Sequence, residues 1–453
     1  MIYRLACGRL ACGLLMLGLG SFSLAGAQPP ADPKPNTPIK HLVVLMQQNR
    51  TFDHYFGSYP GSDGPPPGVC MPFNSRQPDA GECVKPYYLG DDQSADLAHN
   101  PEIFGRQFNG GAMNGFVHAL RLRKQDGALS MAYYDDRDLP YYWNLADEFV
   151  LFDRFFSSAH AGSIWNRLFW VAGQVTGEEH RIPKEGFGDL PTIFDRLQEK
   201  GVSWKFYVNN YDPQLNYRNL KDSPFLHPQV QWVPLLSFDR FIDDPKLSSH
   251  IVDMSEYFED LRNGTLHAVS YMLALGATEH PPAHPEKGQR FVRKVLQPLI
   301  SSEMWNSSAF ILTYDDWGGW YDHVPPPQVD RYGYGFRVPT LLVSPYAKRG
   351  YVDSTVLDST SILKFIEQNY GLKPLATRDA RANSIAGAFD FTNPPREAEF
   401  FSFSRETAQE KAAPRIEMIY ATYGGAVAVA VAVGFFASVR STRTRRDETG
   451  VVR

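Results

Sequence analysis

Short runs of apolar and β-branched residues recur in the body of the chain without polar alternation. They cover residues 39–46, 309–313 and 338–343. Runs of this length suit strands that are buried on both faces of a sheet. The apolar spacing over residues 190–199 and 361–370 instead predicts helices. Because strands and helices alternate, we predict an α/β domain with a mostly parallel sheet flanked by helices.

The first 27 residues have the pattern of a secretory signal. Arg4 and Arg9 precede an apolar run over residues 10–19, and small residues end at Ala27. A basic start, an apolar centre and a small-residue cleavage site are the three parts of a signal peptide. We therefore expect cleavage after Ala27, with an uncleaved anchor as the alternative.

A second apolar segment covers residues 418–439 and contains no charged side chain. At about 1.5 Å per residue, a helix over this segment is long enough to cross a bilayer. Arginines cluster directly after it, within residues 440–453, which is the positive-inside pattern. The sequence thus predicts one C-terminal transmembrane helix and a basic cytoplasmic tail. A buried Ala/Val strand or helix is the alternative.

Three further segments complete the predicted organisation. Residues 28–38 contain five prolines and are expected to form a spacer. Residues 400–417 alternate in charge and are expected to form a stalk above the membrane. The catalytic domain is then residues 39–399. With the transmembrane helix, this order places the domain on the periplasmic or extracellular face.

Cys70 and Cys83 are the cysteines that remain once the predicted signal is removed. An even pair in an exported chain predicts one disulfide. A two-cysteine metal site is the weaker alternative, because no clustered histidines accompany the pair.

The composition argues against disorder and against a nucleic-acid partner. Charged residues make up 21% of the chain and aromatic residues 13%, so there is enough apolar surface for a core. The net charge of −5 combines basic ends with a more acidic middle. Nucleic-acid backbones require a basic face, so we expect no nucleic acid as partner.

Polar residues follow two of the predicted strands. Gln48 and Asn49 come shortly after the first run, and Asp315 and Asp316 after the second. Ligands of open α/β sheets bind beyond the carboxyl ends of the strands. Adjacent carboxylates repel each other unless a cation neutralises them. The pattern is consistent with a divalent metal or with two solvated loop carboxylates.

Ser163 lies in a third polar cluster and is followed by Asn166 and Arg167. An arginine grips phosphate oxygens in a bidentate manner, and an asparagine adds a neutral donor. Ser163 is therefore a candidate for a hydroxyl placed where an anion binds, with an ordinary turn serine as the alternative. The GxSxG pattern of serine hydrolases is absent here.

Six segments, in order along the chain, resemble signatures of the phosphoesterase family that holds bacterial phospholipases C, plant non-specific phospholipases C and acid phosphatases. They are MQQNRTFDHYFG at 46–57, NGGAMNGF at 109–116, SIWNR at 163–167, EHPP at 279–282, TYDDWGGWYDHVPPP at 313–327 and SPYAK at 344–348. The resemblance covers residues 39 to about 370. It implies an alkaline-phosphatase-like α/β fold and metal-assisted phosphoryl transfer.

The same resemblance implies roles for individual residues. Ser163 is implied as the nucleophile, with His99 and His280 as catalytic residues that line the phosphate pocket. Asn166 and Arg167 are expected to bind substrate. One divalent metal of unknown identity is implied, and its ligands are expected to be Gln48, Asn49, Ser163, Asp315 and Asp316. His323 is expected to support the site or the fold.

Two positions depart from the family pattern. Gln48 stands where a glutamate is usual, and an amide oxygen binds a hard cation more weakly than a carboxylate does. Ile164 and Trp165 stand where a polar residue and proline are common, which makes the pocket wall bulkier. A catalytically inactive, anchored binding module is therefore one alternative.

The sequence as a whole predicts a membrane-anchored, extracytoplasmic phosphoesterase that acts through a phosphoserine intermediate. A tether near the bilayer favours phospholipid as substrate, as for a phospholipase C. The acidic body favours a zwitterionic headgroup over an anionic one. An acid phosphatase acting on small phosphomonoesters is the alternative enzyme.

Overall fold

The computed structural model describes residues 32–79, 81–90, 94–177, 180–220 and 227–405. The predicted signal peptide, the predicted transmembrane helix and tail, and most of the predicted stalk lie outside these ranges. Within them, no helix combines the length and the apolar character that a membrane crossing requires.

The strands and helices of the described residues alternate along the chain. The strands are β1 (His41–Gln47), β2 (Met71–Pro72), β3 (Cys83–Val84), β4 (Tyr87–Tyr88), β5 (Ala132–Tyr133), β6 (Val150–Phe152), β7 (Phe155–Phe156), β8 (Trp204–Val208), β9 (Ile251–Asp253), β10 (Val269–Leu273), β11 (Ser308–Tyr314), β12 (Thr340–Val343), β13 (Tyr351–Asp353) and β14 (Leu357–Asp358). The helices are α1 (Phe52–Phe56), α2 (Pro101–Phe108), α3 (Phe116–Leu122), α4 (Pro140–Glu148), α5 (Ser163–Ala172), α6 (Ile193–Lys200), α7 (Pro228–Trp232), α8 (Asp239–Asp243), α9 (Pro245–Ser248), α10 (Met254–Asn263), α11 (Pro285–Ile300), α12 (Ser359–Tyr370) and α13 (Thr377–Arg381). The α/β class is therefore confirmed.

An eight-stranded sheet organises the domain, in the order β13-β6-β12-β11-β1-β10-β8-β9. Strand β1 is central and pairs in parallel with both β10 and β11. Strand β12 is antiparallel to both of its neighbours, and the other pairs are parallel. The sheet is thus mostly parallel, as predicted, and β12 makes it a mixed sheet.

The predicted buried runs form β1, β11 and β12. Strands β11 and β12 are buried along their whole length, and β1 is buried after its first residue. A strand covered on both faces needs apolar residues at successive positions, which explains the missing alternation. The two predicted helices are α6 and α12, with boundaries within a few residues of the expected ones.

Helix α5 packs on the sheet through two aromatic rings. Trp170 stacks on Tyr271 of β10 with ring centroids 4.3 Å apart, and the Tyr271 hydroxyl donates to the Trp170 carbonyl at 3.3 Å. This contact fixes the position of the helix that begins at Ser163.

The predicted disulfide is present between Cys70 and Cys83, whose Cα atoms are 5.3 Å apart. Cys83 begins β3, which pairs in antiparallel fashion with β2 directly after Cys70. The bond therefore closes a small two-stranded hairpin.

Candidate active site

The two predicted pairs of metal ligands leave the sheet side by side. Gln47 and Tyr314 are register partners at the ends of β1 and β11. Backbone pairing continues beyond them, because the Asp315 amide donates to the Gln47 carbonyl at 3.2 Å and the Arg50 amide donates to the Asp316 carbonyl at 3.1 Å. The residues between are thereby brought to one edge of the sheet, where ligands of such sheets bind.

Asn49 lies at the centre of this edge with a left-handed backbone, at φ 62°. Its amide donates to Asp315 Oδ1 at 3.3 Å, and its Nδ2 lies 3.2 Å from His99 Nε2. Gly318 approaches so closely that an added Cβ would lie 2.5 Å from the Asn49 carbonyl oxygen. The Asn49 Oδ1 atom is buried and has no hydrogen-bond partner, so an acceptor is left for a ligand.

Ser163 is the first residue of α5, after Gly162 at the N-cap. Its Oγ donates to Asp316 Oδ2 at 3.2 Å. A Cβ built on Gly162 would lie 3.6 Å from the His99 ring and 3.8 Å from Asp316 Oδ2, so these groups converge on one point. The amides and the dipole at a helix N-terminus favour an anion there.

The adjacent carboxylates have different partners. Asp315 Oδ2 accepts from Arg167 Nε at 2.9 Å, and both side chains are fully buried. Asp316 Oδ1 accepts from the Gly318 amide at 2.8 Å, and its other oxygen faces Ser163. Burial, followed by the charge of Asp315, raises the pKa of Asp316 to about 7. The Arg167 guanidinium compensates the charge of Asp315, and a bound cation beside Asp316 would likewise lower the cost of burying its charge.

His99 and His280 lie at the mouth of the site with ring centroids 6.4 Å apart. His99 Nδ1 bonds the Leu97 carbonyl at 2.6 Å, and His280 Nδ1 bonds the Pro281 carbonyl at 2.7 Å. Burial lowers the pKa of His99, but the Asp316 carboxylate and the Leu97 carbonyl outweigh it, so the net shift is upward.

Gln48 fits a cation less well than Asn49 does. Its Oε1 already accepts from Thr278 Oγ1 at 3.0 Å, whereas its Nε2 is buried without a partner. Carboxylate, hydroxyl and amide oxygens are the ligands that hard divalent cations prefer. The other four predicted ligands, Asn49, Ser163, Asp315 and Asp316, carry such oxygens, but those of Asp315 already accept from Arg167 and from the Asn49 and Asp316 amides.

Asn166 and Arg167 use their polar atoms on the protein. Asn166 Oδ1 accepts from the Ala159 amide at 2.8 Å, and its Nδ2 donates to the Ala161 carbonyl at 2.7 Å. Arg167 also donates to the Trp232 carbonyl at 3.1 Å. Both side chains are fully buried, and their contacts with substrate stay predictions.

His323 belongs to a separate buried network. Its Nδ1 lies 2.8 Å from Asp53 Oδ2. Arg337 joins the two aspartates of this network, at 2.7 Å from Asp53 Oδ1 and 2.9 Å from Asp322 Oδ1. The Asp53, Asp322 and His323 ligand atoms lie within 4.8 Å of one another, but the Arg337 guanidinium already pairs with both carboxylates.

A cavity of about 520 Å³ adjoins the site. It is lined by Thr278, the partner of Gln48, and by Trp232, whose ring lies 5.8 Å from that of His280. A second cavity, of about 290 Å³, is lined by Trp165, His160 and His180. The first cavity leaves space for a group next to a bound phosphate.

Sequence patterns assign no role to Asp96, Thr278 or Trp232, which the fold brings to this site. Asp96 has a carboxylate oxygen within 4.8 Å of ligand atoms of His99 and His280. The spacing of Asp96 and His99, three residues apart, was the available signal. No local pattern points to Thr278 or Trp232, because each contacts the site from a distant part of the chain.

Residues 39–373 match the Phosphoesterase family. The chain belongs to that family and is a phosphoric ester hydrolase. It is 29% identical to phospholipase C B of Mycobacterium tuberculosis, over 79% of this chain and 79% of that protein. It is also 29% identical to non-specific phospholipase C1 of Arabidopsis thaliana, over 80% of this chain and 72% of that protein. The family expected from the six segments is thus confirmed.

A solved structure from Vibrio parahaemolyticus, described as a protein in the alkaline phosphatase superfamily, also matches. The TM-score is 0.36 at 13% identity, with 78% of this chain and 73% of that chain covered. At this similarity the alkaline-phosphatase-like architecture stays a prediction.

Proposed function

We propose that this protein is a metal-dependent phospholipase C that hydrolyses phospholipids through a phosphoserine intermediate at Ser163. The observation that carries the proposal is the position of the Ser163 hydroxyl. It lies at a helix N-terminus and donates to Asp316 at 3.2 Å, beside an unpaired buried oxygen of Asn49. A nucleophile, an anion-binding helix end and a cation-binding donor set are the parts that phosphoryl transfer requires.

A divalent cation held by Asn49, Asp315, Asp316 and Ser163, with Gln48 as a further predicted ligand, would supply Lewis acidity and neutralise phosphate charge. The proton that Ser163 loses on attack can be taken up by a residue of the chain. Asp316 Oδ2 accepts the Ser163 hydrogen bond, so it is the nearest acceptor for the serine proton.

The proposed reaction has two displacements at phosphorus. In the first, Ser163 Oγ forms a bond to phosphorus, and the bond from phosphorus to the glycerol oxygen breaks. His280 or His99 gives the leaving oxygen its proton, which releases diacylglycerol. In the second, water attacks phosphorus, the bond to Ser163 breaks, and the phosphorylated headgroup leaves. Water has then added across one phosphate ester bond, and the serine is regenerated.

Two observations favour a diester over a monoester. The relatives reported above are named as phospholipases C. The cavity of about 520 Å³ adjoins the site through Thr278, which bonds Gln48, and Trp232, which lies against His280, so there is room for a substituent beside the phosphate.

We further propose that the catalytic domain works outside the cytoplasm on a membrane tether. The support is the signal pattern of residues 1–27 and the apolar segment 418–439 with its arginine tail. A tether would keep the site near its lipid substrate.

The test uses the full-length chain in detergent micelles with phosphatidylcholine or 4-nitrophenyl phosphate. We expect release of phosphocholine that stops when a chelator is added and returns with a divalent metal. Ser163→Ala should abolish release. Ser308→Ala is the matched control, because Ser308 is also buried but bonds Met304 at the other end of β11. Normal turnover by Ser163→Ala would remove the proposal, and release from the monoester alone would make the protein a phosphatase.

A further inference from the structure

A buried carboxylate, Glu279, lies directly behind the proposed site and is fully enclosed. Three tyrosine hydroxyls donate to it. Tyr55 and Tyr314 reach Oε2 at 2.7 Å each, and Tyr142 reaches Oε1. A carboxylate taken out of water is costly unless hydrogen bonds replace its hydration, and here three do so.

Arg50 supplies the opposite charge to this cluster. Its Nε donates to the Tyr55 hydroxyl at 3.0 Å, and its Nη2 donates to the Glu279 carbonyl at 2.8 Å. Arg50 is also fully buried. The charge of the carboxylate is therefore balanced through a shared tyrosine and a backbone contact.

Members of the cluster are sequence neighbours of proposed site residues. Tyr314 precedes Asp315, Arg50 follows Asn49, and Glu279 precedes His280. The cluster thereby joins the end of β11, the end of β1 and the loop after β10 through side chains. In addition, the Glu279 amide lies 3.4 Å from the side-chain oxygen of Gln47, which precedes Gln48.

The packing around the carboxylate leaves no space for it to move. A Cβ built on Gly288 of α11 would lie 2.0 Å from Glu279 Oε1. Tyr142 belongs to α4 and Tyr55 to α1, so three helices enclose the side chain. A buried network whose polar groups have hydrogen-bond partners specifies one arrangement of the segments that it joins.

From these contacts we infer that Glu279 is a positioning residue, which sets His280, Asn49 and Asp315 relative to one another for metal binding and turnover. The inference rests on the proposed function. Groups that hold metal-binding residues in place change metal affinity or activity by about tenfold to a hundredfold when removed. If the carboxylate is needed only for folding, its removal should lower the stability of the protein and leave metal affinity and turnover unchanged.

The test compares Glu279→Gln with the wild type in full-length protein stripped of metal. Mn²⁺ is titrated calorimetrically, and kcat and KM are measured on phosphatidylcholine. We expect Mn²⁺ affinity to fall by about tenfold or more. We also expect kcat to fall with KM little changed, because the cluster does not line the cavity that adjoins the site.

Tyrosine variants keep the inference testable if Glu279→Gln does not fold. Tyr142→Phe and Tyr314→Phe each remove one donor to the carboxylate. Tyr257→Phe is the matched control, because Tyr257 is also fully buried but its hydroxyl donates to the Val295 carbonyl at 2.9 Å. All three should lower thermal stability, but only the first two should weaken Mn²⁺ binding.

The outcomes separate this inference from the proposed function. If Ser163→Ala is inactive while Glu279→Gln and the two tyrosine variants match the wild type in Mn²⁺ affinity and kcat, only the positioning role is overturned. If Ser163→Ala stays active, the proposed function is lost, and the Mn²⁺ titrations still decide the role of Glu279. If the wild type neither binds Mn²⁺ nor turns over substrate, both the proposed function and the positioning role are overturned.

Discussion

Arg167 and Asp315 form an ion pair at 2.9 Å in which both side chains are fully buried. The pair leaves Asp316 as the carboxylate of the site that lacks a cationic partner of its own. Gln48 adds no charge. The predicted metal site therefore offers less net negative charge than its carboxylate count suggests.

Replacement of Arg167 by methionine should destabilise the metal-free protein and make it more dependent on metal. Breaking a buried pair by removing one partner costs about 3–5 kcal/mol, because the other charge stays buried. A bound cation would then take over the neutralising role of the guanidinium. We expect a lower Tm in chelator and a larger rise in Tm with Mn²⁺ than in the wild type, measured by thermal unfolding.

The control is Arg378→Met, which removes an arginine paired with Asp330 at 2.6 Å. It should lose stability without a larger response to Mn²⁺. If Arg167 instead contacts substrate, Arg167→Met would raise KM and leave the Mn²⁺ response of the Tm unchanged.

Replacement of Gln48 by glutamate should tighten metal binding. The new carboxylate can keep the bond from Thr278 with one oxygen, and the other oxygen is left for the cation. The added charge should contribute about 1–4 kcal/mol, whereas turnover can change in either direction because a more neutralised metal is a weaker Lewis acid. Calorimetric titration with Mg²⁺, Ca²⁺, Mn²⁺ and Zn²⁺ measures the effect.

Gln289→Glu provides the comparison for added charge, since Gln289 is equally buried but bonds the backbone of Tyr141 and Asp138. It should leave the affinity for every ion unchanged. Equal affinities of Gln48→Glu and the wild type for all four ions would show that Gln48 is not a ligand.

Stability should fall as pH rises because of Glu367 on α12. Burial and the neighbouring Asp379 raise the pKa of Glu367 from 4.5 to about 9. A raised native pKa means that the native state holds the proton more tightly than the unfolded chain does. The contribution is therefore complete below about pH 4.5 and is lost as the pH rises through about 9, at no more than about 1.4 kcal/mol per pH unit.

Chemical unfolding between pH 5 and about 9 measures this slope, and Glu367→Gln should flatten it. Glu259→Gln, at an exposed salt bridge, should keep the wild-type slope. An unchanged slope in Glu367→Gln would assign the pH dependence to other groups.

The proposed topology predicts a protease-accessible stalk. Protease added to intact spheroplasts should release a soluble fragment that ends within residues 400–417, since the stalk would lie outside the membrane. Mass spectrometry of the released fragment locates the cut. A body that is cleaved only after the spheroplasts are lysed would contradict the proposed topology.

The parts of the site that follow from strand order were predictable from the sequence. Gln48, Asn49, Asp315 and Asp316 follow apolar runs, and parallel strands end at one edge of a sheet. The direction of β12 was not predictable, because a fully apolar run carries no information on its orientation.

Contacts between residues far apart in the sequence could not be predicted from local sequence patterns either. The carboxylate of Glu279 meets hydroxyls that are 137 and 224 residues away, so only the folded chain reveals its partners. The bond of Thr278 to Gln48, across 230 residues, is similar. A charged residue beside an apolar run is expected to face solvent, and here tertiary hydrogen bonds reverse that expectation.

The placement of β11 beside β1 has a consequence for synthesis of the chain. Asn49 and Asp315 are 266 residues apart in sequence, although their strands are neighbours. A nascent chain on the ribosome carries one half of the site long before the other half has been translated. A product truncated before residue 308 lacks both carboxylates, and contacts of such long separation form late in folding. The proposed phospholipase activity would therefore be absent throughout most of the translation of the chain.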